Sequence, residues 1–399
     1  MQQTVIDIAV VGAGPVGLAL ALQAAEKLPH ARVSVFDARP ADRDVSADPR
    51  TLALSLGSVQ LLQRLQVWPA EQAQAIAEVH VSQVPPGSDL PFAAFLSPEV
   101  RLRATDEGVP LLGAVLRYGQ LVAPLQRAWE AAVAREPERL RSRFGTPVAA
   151  LKAVADGVEL DAGIAERFDL AVVAEGGVFS DQARKALTHD YRQTAWVGTV
   201  ALAGATPGTA FERFTRQGPA ALLPLKTGAD GVARAALVWC VASDDDPVRE
   251  LDAGQRLAVL NTIFPAAAGR IVEIAALKDF SLGLNAERTL VSGRTVRIGN
   301  AAQTLHPVAG QGLNLGLRDA YELVAVLRGA ADLDAALARV EWARAADRWT
   351  TIAATDFLAR SFTWRAPGIA AARGLGLAAV QALAPLKSLL ARRMMFGAR

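Results

Sequence analysis

The chain has 399 residues, of which 51% are apolar and 21% charged, and its formal net charge is +2. A chain this apolar can bury a sizeable core, which excludes disorder as the main state, and the small net charge gives no reason to expect a nucleic acid partner. The single cysteine, Cys240, excludes a disulfide framework and a multi-cysteine metal site, and the four scattered histidines do not indicate a zinc centre. The length predicts two or three domains.

The N-terminal segment has the pattern of a β-strand, a glycine-rich turn and a helix. Residues 5–11 predict the strand, the helix is predicted to end near residue 28, and a second strand at 32–37 ends on Asp37. A strand, a helix and a second strand in this order form a βαβ unit with parallel strands. No basic residue precedes Lys27, which is unlike a signal peptide, so a cytoplasmic location is expected.

The turn of this unit has the spacing of a dinucleotide-binding motif, Gly12-Ala13-Gly14-Pro15-Val16-Gly17. The first glycine permits the tight turn, the second lets the backbone approach a pyrophosphate, and the third allows close packing of the helix on the strand. The amides at the helix N-terminus favour an anion. Asp37, 20 residues after Gly17, is placed to accept a hydrogen bond from a ribose hydroxyl, so the unit is predicted to bind a dinucleotide.

The rest of the chain predicts an α/β domain interrupted by a β-rich unit. Helices are predicted near 55–65 and at 118–135, and residues 169–174 form a continuous apolar run typical of a strand buried on both faces. From about residue 194 the pattern is typical of antiparallel sheet, and a helix is predicted at 311–328. The predicted domains are a discontinuous nucleotide domain of residues 1–75, 104–190 and 285–330, a β-rich substrate domain of 76–103 and 191–284, and a helical region of 331–399.

A second glycine-rich segment lies in the C-terminal half, where a strand end, a loop and a helix start are predicted. It reads GNAAQTLHPVAGQGLNLG from Gly299 to Gly316. Gly310 and Gly312 leave room for the backbone to approach a ligand, and the N-terminus of the following helix can face anionic or electron-rich atoms. An ordinary glycine-containing loop between a strand and a helix is the alternative.

On these segments the sequence resembles the flavoprotein aromatic-ring hydroxylases that share the para-hydroxybenzoate hydroxylase fold, and the resemblance extends over essentially the whole chain. It implies an α/β fold with a Rossmann-like FAD-binding domain, an inserted antiparallel β-rich substrate domain and a C-terminal helical tail. Asn300 and Gln303 differ from the aspartate and histidine that many members carry. The string 299–307 and the segments 211–215 and 237–240 are similar to the ubiquinone-biosynthesis (UbiH-type) branch.

The resemblance also implies which residues bind FAD. The first glycine motif would hold the ADP half, and Arg50 and Arg117 would contact the cofactor through planar, forked guanidinium groups. In the second motif Glu175 replaces the aspartate that the family usually carries. The expected cofactor-binding residues are Gly12, Gly14, Pro15, Gly17, Asp37, Arg50, Arg117, Val148, Glu175, Gly176, Asn300, Pro307, Gly310, Gln311, Gly312, Leu313 and Asn314.

The reaction implied by the resemblance uses NAD(P)H and O2 as co-substrates. In the family, NAD(P)H reduces FAD, O2 then gives a flavin hydroperoxide, and its terminal oxygen attacks an electron-rich phenol ring. Such chemistry needs positioning and the exclusion of water more than a protein nucleophile. Tyr191, Gln303 and His306 are candidates for a base that deprotonates the phenol, and a structural role is the alternative for each.

Three functional hypotheses follow. The preferred one is hydroxylation of a polyprenylated phenol in ubiquinone biosynthesis, with 2-octaprenyl-6-methoxyphenol as the expected substrate and other proteins of that biosynthesis as partners. The second is an FAD hydroxylase of another ring position or of a water-soluble phenol, and the third is a flavin-free scaffold in a biosynthetic complex. A polyprenyl pocket or an ordinary core would both explain the apolar positions Phe211, Phe214, Leu223 and Trp239.

The small net charge hides a basic C-terminal segment. No acid follows Asp356, whereas seven Lys and Arg residues lie after it among leucines and aromatic residues. Segment 357–399 is too short, and too broken by Pro367 and Pro385, to span a bilayer. It is predicted to make a peripheral contact with an anionic membrane surface, to dock on a partner protein, or to pack as helices on the protein's own surface.

Overall fold

The computed structural model describes residues 5–84, 99–175, 185–228, 230–275, 277–361, 364 and 369–398. Two predicted helices, Tyr118–Arg135 and Gln311–Arg328, have the expected bounds. The helices are α1 Pro15–Lys27, α2 Leu56–Arg64, α3 Tyr118–Arg135, α4 Ala253–Ile263, α5 Gln311–Arg328, α6 Leu333–Ser361, α7 Ile369–Ala382 and α8 Ala384–Phe396. Short 3-10 turns lie at Ala266–Ala268, Gly299–Ala301 and Val308–Gly310.

The strands of the described residues form four sheets. In chain order they are β1 Ile6–Val11, β2 Ala31–Asp37, β3 Thr51–Ser55, β4 Gln74–Ile76, β5 Glu78–Gln83, β6 Val100–Arg103, β7 Gly113–Arg117, β8 Leu140–Phe144, β9 Ala150–Val154, β10 Gly157–Asp161, β11 Ala165–Phe168, β12 Leu170–Val173, β13 Lys185–Ala203, β14 Thr209–Phe214, β15 Pro219–Leu225, β16 Ala233–Ala242, β17 Arg270–Ile274, β18 Lys278–Glu287, β19 Val291–Ser292, β20 Thr295–Arg297 and β21 Gln303–Thr304.

A six-stranded sheet in the order β19-β20-β12-β1-β2-β8 is the centre of the nucleotide-binding part. β1 pairs in parallel with β2 and with β12, as the βαβ pattern predicts. All four residues of β12 are buried, because the strand is covered on both faces, which explains its continuous apolar run. The carboxyl ends of β1 and β12 therefore lie side by side, at the edge where the glycine-rich turn begins.

A nine-stranded sheet forms the β-rich part, with the path β21-β18-β13-β16-β15-β14-β5-β6 and with β17 paired to β13. Its outer face is covered by α4, where Phe211 and Trp239 pack with Leu260. Its inner face turns toward the second glycine-rich segment, because Phe214 on that face contacts Val308. This sheet therefore forms one wall beside the predicted flavin loop.

The large sheet does not follow the predicted domain limits closely. β13 begins at Lys185 rather than near residue 191, and β18 continues to Glu287 rather than 284. β21, from the predicted nucleotide domain, pairs with the end of β18. The long strand β13 thus joins the two parts of the molecule without a loop at 190, and the domain limits themselves stay a prediction.

The C-terminal helices pack on the protein's own surface. Ala391 and Met395 of α8 are buried against Leu56 of α2 and Leu102 of β6, and Lys387 forms an ion pair with Asp106 at 3.2 Å. Within the described part of the chain, no single helix is long and apolar enough to cross a membrane. The bent pair Ala372–Ala382 and Ala384–Phe396, with 95° between its halves, meets the length and composition criteria together.

Candidate functional site

The three glycines of the first turn have three different surroundings. Gly12 has φ +105°, and a Cβ there would lie 2.8 Å from the Cβ of Glu175. A Cβ at Gly17 would overlap the carbonyl oxygen of Gly12, so this glycine is required for α1 to pack on the turn. A Cβ at Gly14 would meet only the Tyr118 hydroxyl, at 3.6 Å, and would otherwise point into open space. The backbone at Gly14 is therefore open to a ligand.

Asp37, at the end of β2, is held against the same turn. Its Oδ2 accepts a hydrogen bond from the Ala13 amide at 2.6 Å, and its Oδ1 accepts one from the Arg39 amide at 2.8 Å. The Arg39 guanidinium donates to the Ala13 carbonyl oxygen at 3.2 Å. Each carboxylate oxygen has a second lone pair, so Asp37 can accept a ribose hydroxyl while it supports the turn.

A cleft opens beside Asp37. It is lined by Val11, Phe36, Asp37, Ala38, Thr146, Pro147, Val148 and Glu175, so it contains three of the expected cofactor-binding residues. Burial and the nearby charge of Asp37 raise the pKa of Glu175, and the cation Arg39 partly offsets this shift. Gly176, which follows Glu175 and was expected to bind the cofactor, lies outside the described residues.

Arg50 and Arg117 lie at the same end of the small sheet β3-β7-β4. Thr51, next to Arg50, pairs with Arg117, and the Tyr118 amide donates to the Arg50 carbonyl oxygen at 2.6 Å. The Arg50 guanidinium forms an ion pair with Asp48 at 2.7 Å and lies 4.1 Å from the centre of the Tyr118 ring. The Tyr118 hydroxyl in turn lies beside Gly14, so both arginines are placed near the first turn.

The N-terminus of α5 forms the second part of the site. Gly310 precedes α5 in a left-handed conformation with φ +58°, and the first amides of a helix have no partner within it. A Cβ at Gly312 would have the Asn300 Oδ1 as its nearest neighbour, at 3.8 Å, so the space there is open. Pro307, Gln311, Gly312 and Leu313 are half-buried, whereas residues 314–320 of α5 are buried. The first turn of α5 is therefore the accessible end of the helix.

Asn314 differs from its neighbours because both polar atoms of its side chain form hydrogen bonds with other residues of the protein. Its Oδ1 accepts hydrogen bonds from the Ser55 amide and the Ser58 hydroxyl, both at 2.8 Å. Its Nδ2 donates to the carbonyl oxygens of Ala53 at 3.1 Å and Gly310 at 2.8 Å. Asn314 thus fixes α5 to β3 and α2, and the side chain itself is not free to bind a cofactor.

Gln303 belongs to a buried polar network. Its Nε2 donates to the Asp319 Oδ2 at 3.1 Å, and its Oε1 accepts a bond from Arg348 at 2.7 Å. Asp319 pairs with Arg344 at 2.8 Å, and Arg344 reaches Asp347 at 2.7 Å. The network therefore joins the turn at Gly299 to α5 and α6, and both ends of the Gln303 amide are occupied.

Tyr191 and His306 support each other. Their rings are in edge-to-face contact with centres 5.1 Å apart, and the Tyr191 hydroxyl donates to Asp356 at 3.1 Å. The His306 Nδ1 accepts the Val308 amide, so Nε2 carries the proton and donates to the Gln193 Oε1 at 2.8 Å. Burial lowers the pKa of His306 to about 4, so the ring is neutral at pH 7. Tyr191, Gln303 and His306 all have protein partners for their polar atoms.

The apolar positions that either a polyprenyl pocket or an ordinary core would explain fall on opposite faces of the large sheet. Phe211 and Trp239 pack under α4 on the outer face, where they belong to an ordinary core. Phe214 and Leu223 lie on the inner face, where Phe214 contacts Val308 and Leu223 packs with Val115. Side chains alternate between the two faces of a sheet along each strand. Phe211 and Phe214 are an odd number of residues apart, so they lie on opposite faces.

The two parts of the site fit FAD. The open backbone at Gly14, the cleft beside Asp37 and the accessible α5 N-terminus offer a pyrophosphate site, an adenosine site and a site for an electron-rich ring, respectively. Among the described residues no group of three or more His, Cys, Asp or Glu could hold a metal ion.

Comparison with known proteins gives the family. The FAD binding domain family matches residues 191–366. The chain is 34% identical to the ubiquinone hydroxylase UbiL of Rhodospirillum rubrum, over 98% of this chain and 90% of that protein. It is 30% identical to the 3-demethoxyubiquinol 3-hydroxylase of Escherichia coli, over 96% of each chain. A shorter match, 31% identical over 51% of this chain and 54% of its relative, is to the ubiquinone biosynthesis monooxygenase COQ6 of Caenorhabditis elegans.

Solved structures confirm the fold. Klebsiella pneumoniae HpxO, in complex with FAD and uric acid, superposes with a TM-score of 0.70 at 16% identity over 98% of each chain. The p-nitrophenol 4-monooxygenase PnpA of Pseudomonas putida superposes with a TM-score of 0.70 at 14% identity over 100% of each chain. The chain belongs to the family of FAD-dependent aromatic-ring hydroxylases. It is a flavoprotein monooxygenase that binds FAD and uses NAD(P)H and O2 as co-substrates.

Proposed function

We propose that this enzyme hydroxylates the aromatic ring of a polyprenylated phenol in ubiquinone biosynthesis, with 2-octaprenyl-6-methoxyphenol as the substrate. The names of the relatives from Rhodospirillum rubrum and Escherichia coli support the substrate class, since both act in hydroxylation of ubiquinone or a precursor. The flavin supplies the oxygen chemistry once it is bound. The protein must then bind the ring, orient it and exclude water.

One observation carries the preference for a prenylated substrate. Val81 of β5 belongs to two apolar clusters, one with Leu377 and Val380 of α7 and another with Phe214 and Val308. Apolar side chains therefore continue without a break from the C-terminal helices to the loop that precedes α5. A water-soluble phenol needs only the inner end of this path, whereas a polyprenyl chain can use all of it.

The chain's own residues position the reacting ring. The Phe214–Val308 contact brings the inner face of the large sheet against the loop at the start of α5, and the His306 side chain fixes that loop through the Val308 amide. Asn314 holds the same end of α5 against β3. These contacts define a site between the sheet and the first turn of α5, where water is displaced by apolar side chains.

The C-terminal helices are proposed to contact an anionic membrane surface, which is where such a substrate resides. Although α8 packs on the protein through Ala391 and Met395, its other side exposes leucines at the spacing of one helix face. The exposed apolar residues of the two helices are Leu375, Leu383, Leu386, Leu389 and Leu390. Arg392 and Arg393 are exposed beside them, and no acid lies in the segment.

The substrate proposal is tested by comparing kcat/KM for matched phenols. The purified holoenzyme is given 6-methoxyphenols whose 2-position carries a polyprenyl chain, a single prenyl unit or hydrogen. We expect kcat/KM to rise with each prenyl unit, because each one buries further apolar surface along the path from Phe214 to α7. Equal kcat/KM for the three phenols would contradict the proposal and favour a water-soluble substrate.

A further inference from the structure

Glu212 of β14 lies in the middle of an apolar row on the inner face of the large sheet. Strand pairing places it between Val81 of β5 and Ala221 of β15. The row continues through Val238 and Val197, since residues paired directly across strands point to the same face. Phe214, two residues further along β14, shares this face and contacts Val308. Glu212 is thus the acidic member of a surface that faces the cofactor loop.

The Glu212 carboxyl has no hydrogen-bond or ion-pair partner among the described residues, and no charged neighbour contributes to the shift of its pKa. The residue lies deep in the molecule, yet its side chain is only half-buried. Its accessible part lies on the sheet face that Val81 and Phe214 share. A carboxyl that lies among apolar side chains without a partner costs stability, so its presence here needs a reason other than folding.

We propose that Glu212 binds the ring hydroxyl of the phenolic substrate by a hydrogen bond and orients the ring toward the loop at the start of α5. This inference rests on the proposed function, because it takes the substrate to be a phenol. Val81, Ala221 and Phe214 would surround the ring, and the carboxyl would be the polar group that selects a hydroxyl at one ring position. Glu212 is then a substrate-binding residue.

The environment of Glu212 suits this role chemically. Burial raises the pKa of Glu212 to about 8, so the carboxyl is mostly neutral at pH 7 and can both donate and accept a hydrogen bond. A phenol hydroxyl also donates and accepts, and a methyl ether only accepts. A site built to bond a hydroxyl discriminates strongly against an analogue that leaves its polar group unpaired.

The experiment measures equilibrium binding without turnover. Oxidised holoenzyme is titrated with a prenylated 2-methoxyphenol and with its O-methylated counterpart, and binding is followed by the absorbance of the bound flavin. We expect the wild-type protein to prefer the phenol by about tenfold, the size of one net hydrogen bond to a buried group. Glu212→Leu should lose this preference, and Glu212→Gln, which keeps a donor and an acceptor, should retain part of it.

The controls separate this inference from the proposed function and from a structural role. Glu273→Gln, at an exposed position of β17 in the same sheet, should leave the preference unchanged. Glu212→Leu should keep or raise the melting temperature, because it removes an unpaired buried carboxyl. A wild-type protein that binds neither ligand would contradict the proposed function. An unchanged phenol preference in Glu212→Leu, or loss of its fold, would overturn the role of Glu212.

Discussion

The hydroxyl of Tyr118 lies 3.6 Å from the point at which a side chain would begin at Gly14. The Arg50 guanidinium also packs over the Tyr118 ring. Tyr118, the first residue of α3, therefore connects the glycine-rich turn to Arg50, which precedes β3. The space in front of Gly14 is therefore bordered by an aromatic hydroxyl and a cation, both of which suit a pyrophosphate.

This geometry predicts opposite effects for two glycines of one motif. Gly14→Val should abolish FAD binding and leave the fold intact, because its side chain would enter open space. Gly17→Ala should destabilise the protein by more than about 2 kcal/mol, because its Cβ would overlap the Gly12 carbonyl oxygen. Flavin content after gel filtration and thermal unfolding of the apoprotein check the pair. Stoichiometric flavin in Gly14→Val would refute the assignment of the pyrophosphate site.

Asn314→Ala should lower the free energy of unfolding by about 3 kcal/mol. The change removes four hydrogen bonds and leaves the buried Ser55 amide without its partner. The matched control is Asn300→Ala, whose side chain is exposed and whose loss should change stability by less than about 0.5 kcal/mol. Urea unfolding measures both. Equal stability of the two variants would show that Asn314 does not fix the N-terminus of α5.

His306 should make stability fall as the pH decreases from 6.5 to 4. Burial lowers the pKa of His306 from 6.5 to about 4, so the unfolded chain binds this proton first. The neutral ring contributes fully to the free energy of unfolding above the pKa that His306 has in the unfolded chain. This contribution is lost as the pH falls to the pKa of His306 in the folded protein, and the total loss is about 3 kcal/mol. We expect His306→Asn to flatten the pH dependence of urea unfolding in this window. The exposed control His30→Asn should follow the wild-type curve, and a steep curve for His306→Asn would contradict the assignment.

The exposed leucines of α8 predict membrane binding. Replacement of Leu386, Leu389 and Leu390 by serine should weaken binding to phosphatidylglycerol vesicles at least about tenfold, because three apolar side chains no longer enter the lipid surface. The fold should persist, since Ala391 and Met395 make the contact with the protein. Vesicle flotation measures the binding. Ile164→Ser, which replaces an exposed apolar residue outside the C-terminal helices, is the control. Unchanged flotation of the triple variant would exclude this helix as the contact.

Local patterns were sufficient to predict the βαβ unit, the buried strand β12 and the bounds of α3 and α5. Each of these is determined by periodicity, glycine spacing or a continuous apolar run within one segment. The expectation that Asn314 binds the cofactor did not anticipate its partner Ser55, which is 259 residues away. Likewise the partner of His306 is Gln193, 113 residues away, and no local signal points to it.

The role of Tyr118 depends equally on tertiary structure. Only the pairing of β3 with β7 brings its ring beneath Arg50 and its hydroxyl beside Gly14. The division of Phe211 and Phe214 between the two faces of the sheet could have been derived from strand alternation. Strand alternation does not show which of those two faces meets the cofactor loop, because that depends on which face α4 covers.

The flavoprotein is proposed to add one oxygen atom from O2, as a hydroxyl group, to a ring carbon of a prenylated methoxyphenol. The most direct measurement is mass spectrometry of the product formed from 2-octaprenyl-6-methoxyphenol by purified holoenzyme with NAD(P)H under 18O2. We expect one 18O atom in a new ring hydroxyl, and NAD(P)H consumption that matches product formation. NAD(P)H oxidation without a labelled ring product, or label found only in peroxide, would contradict the claim.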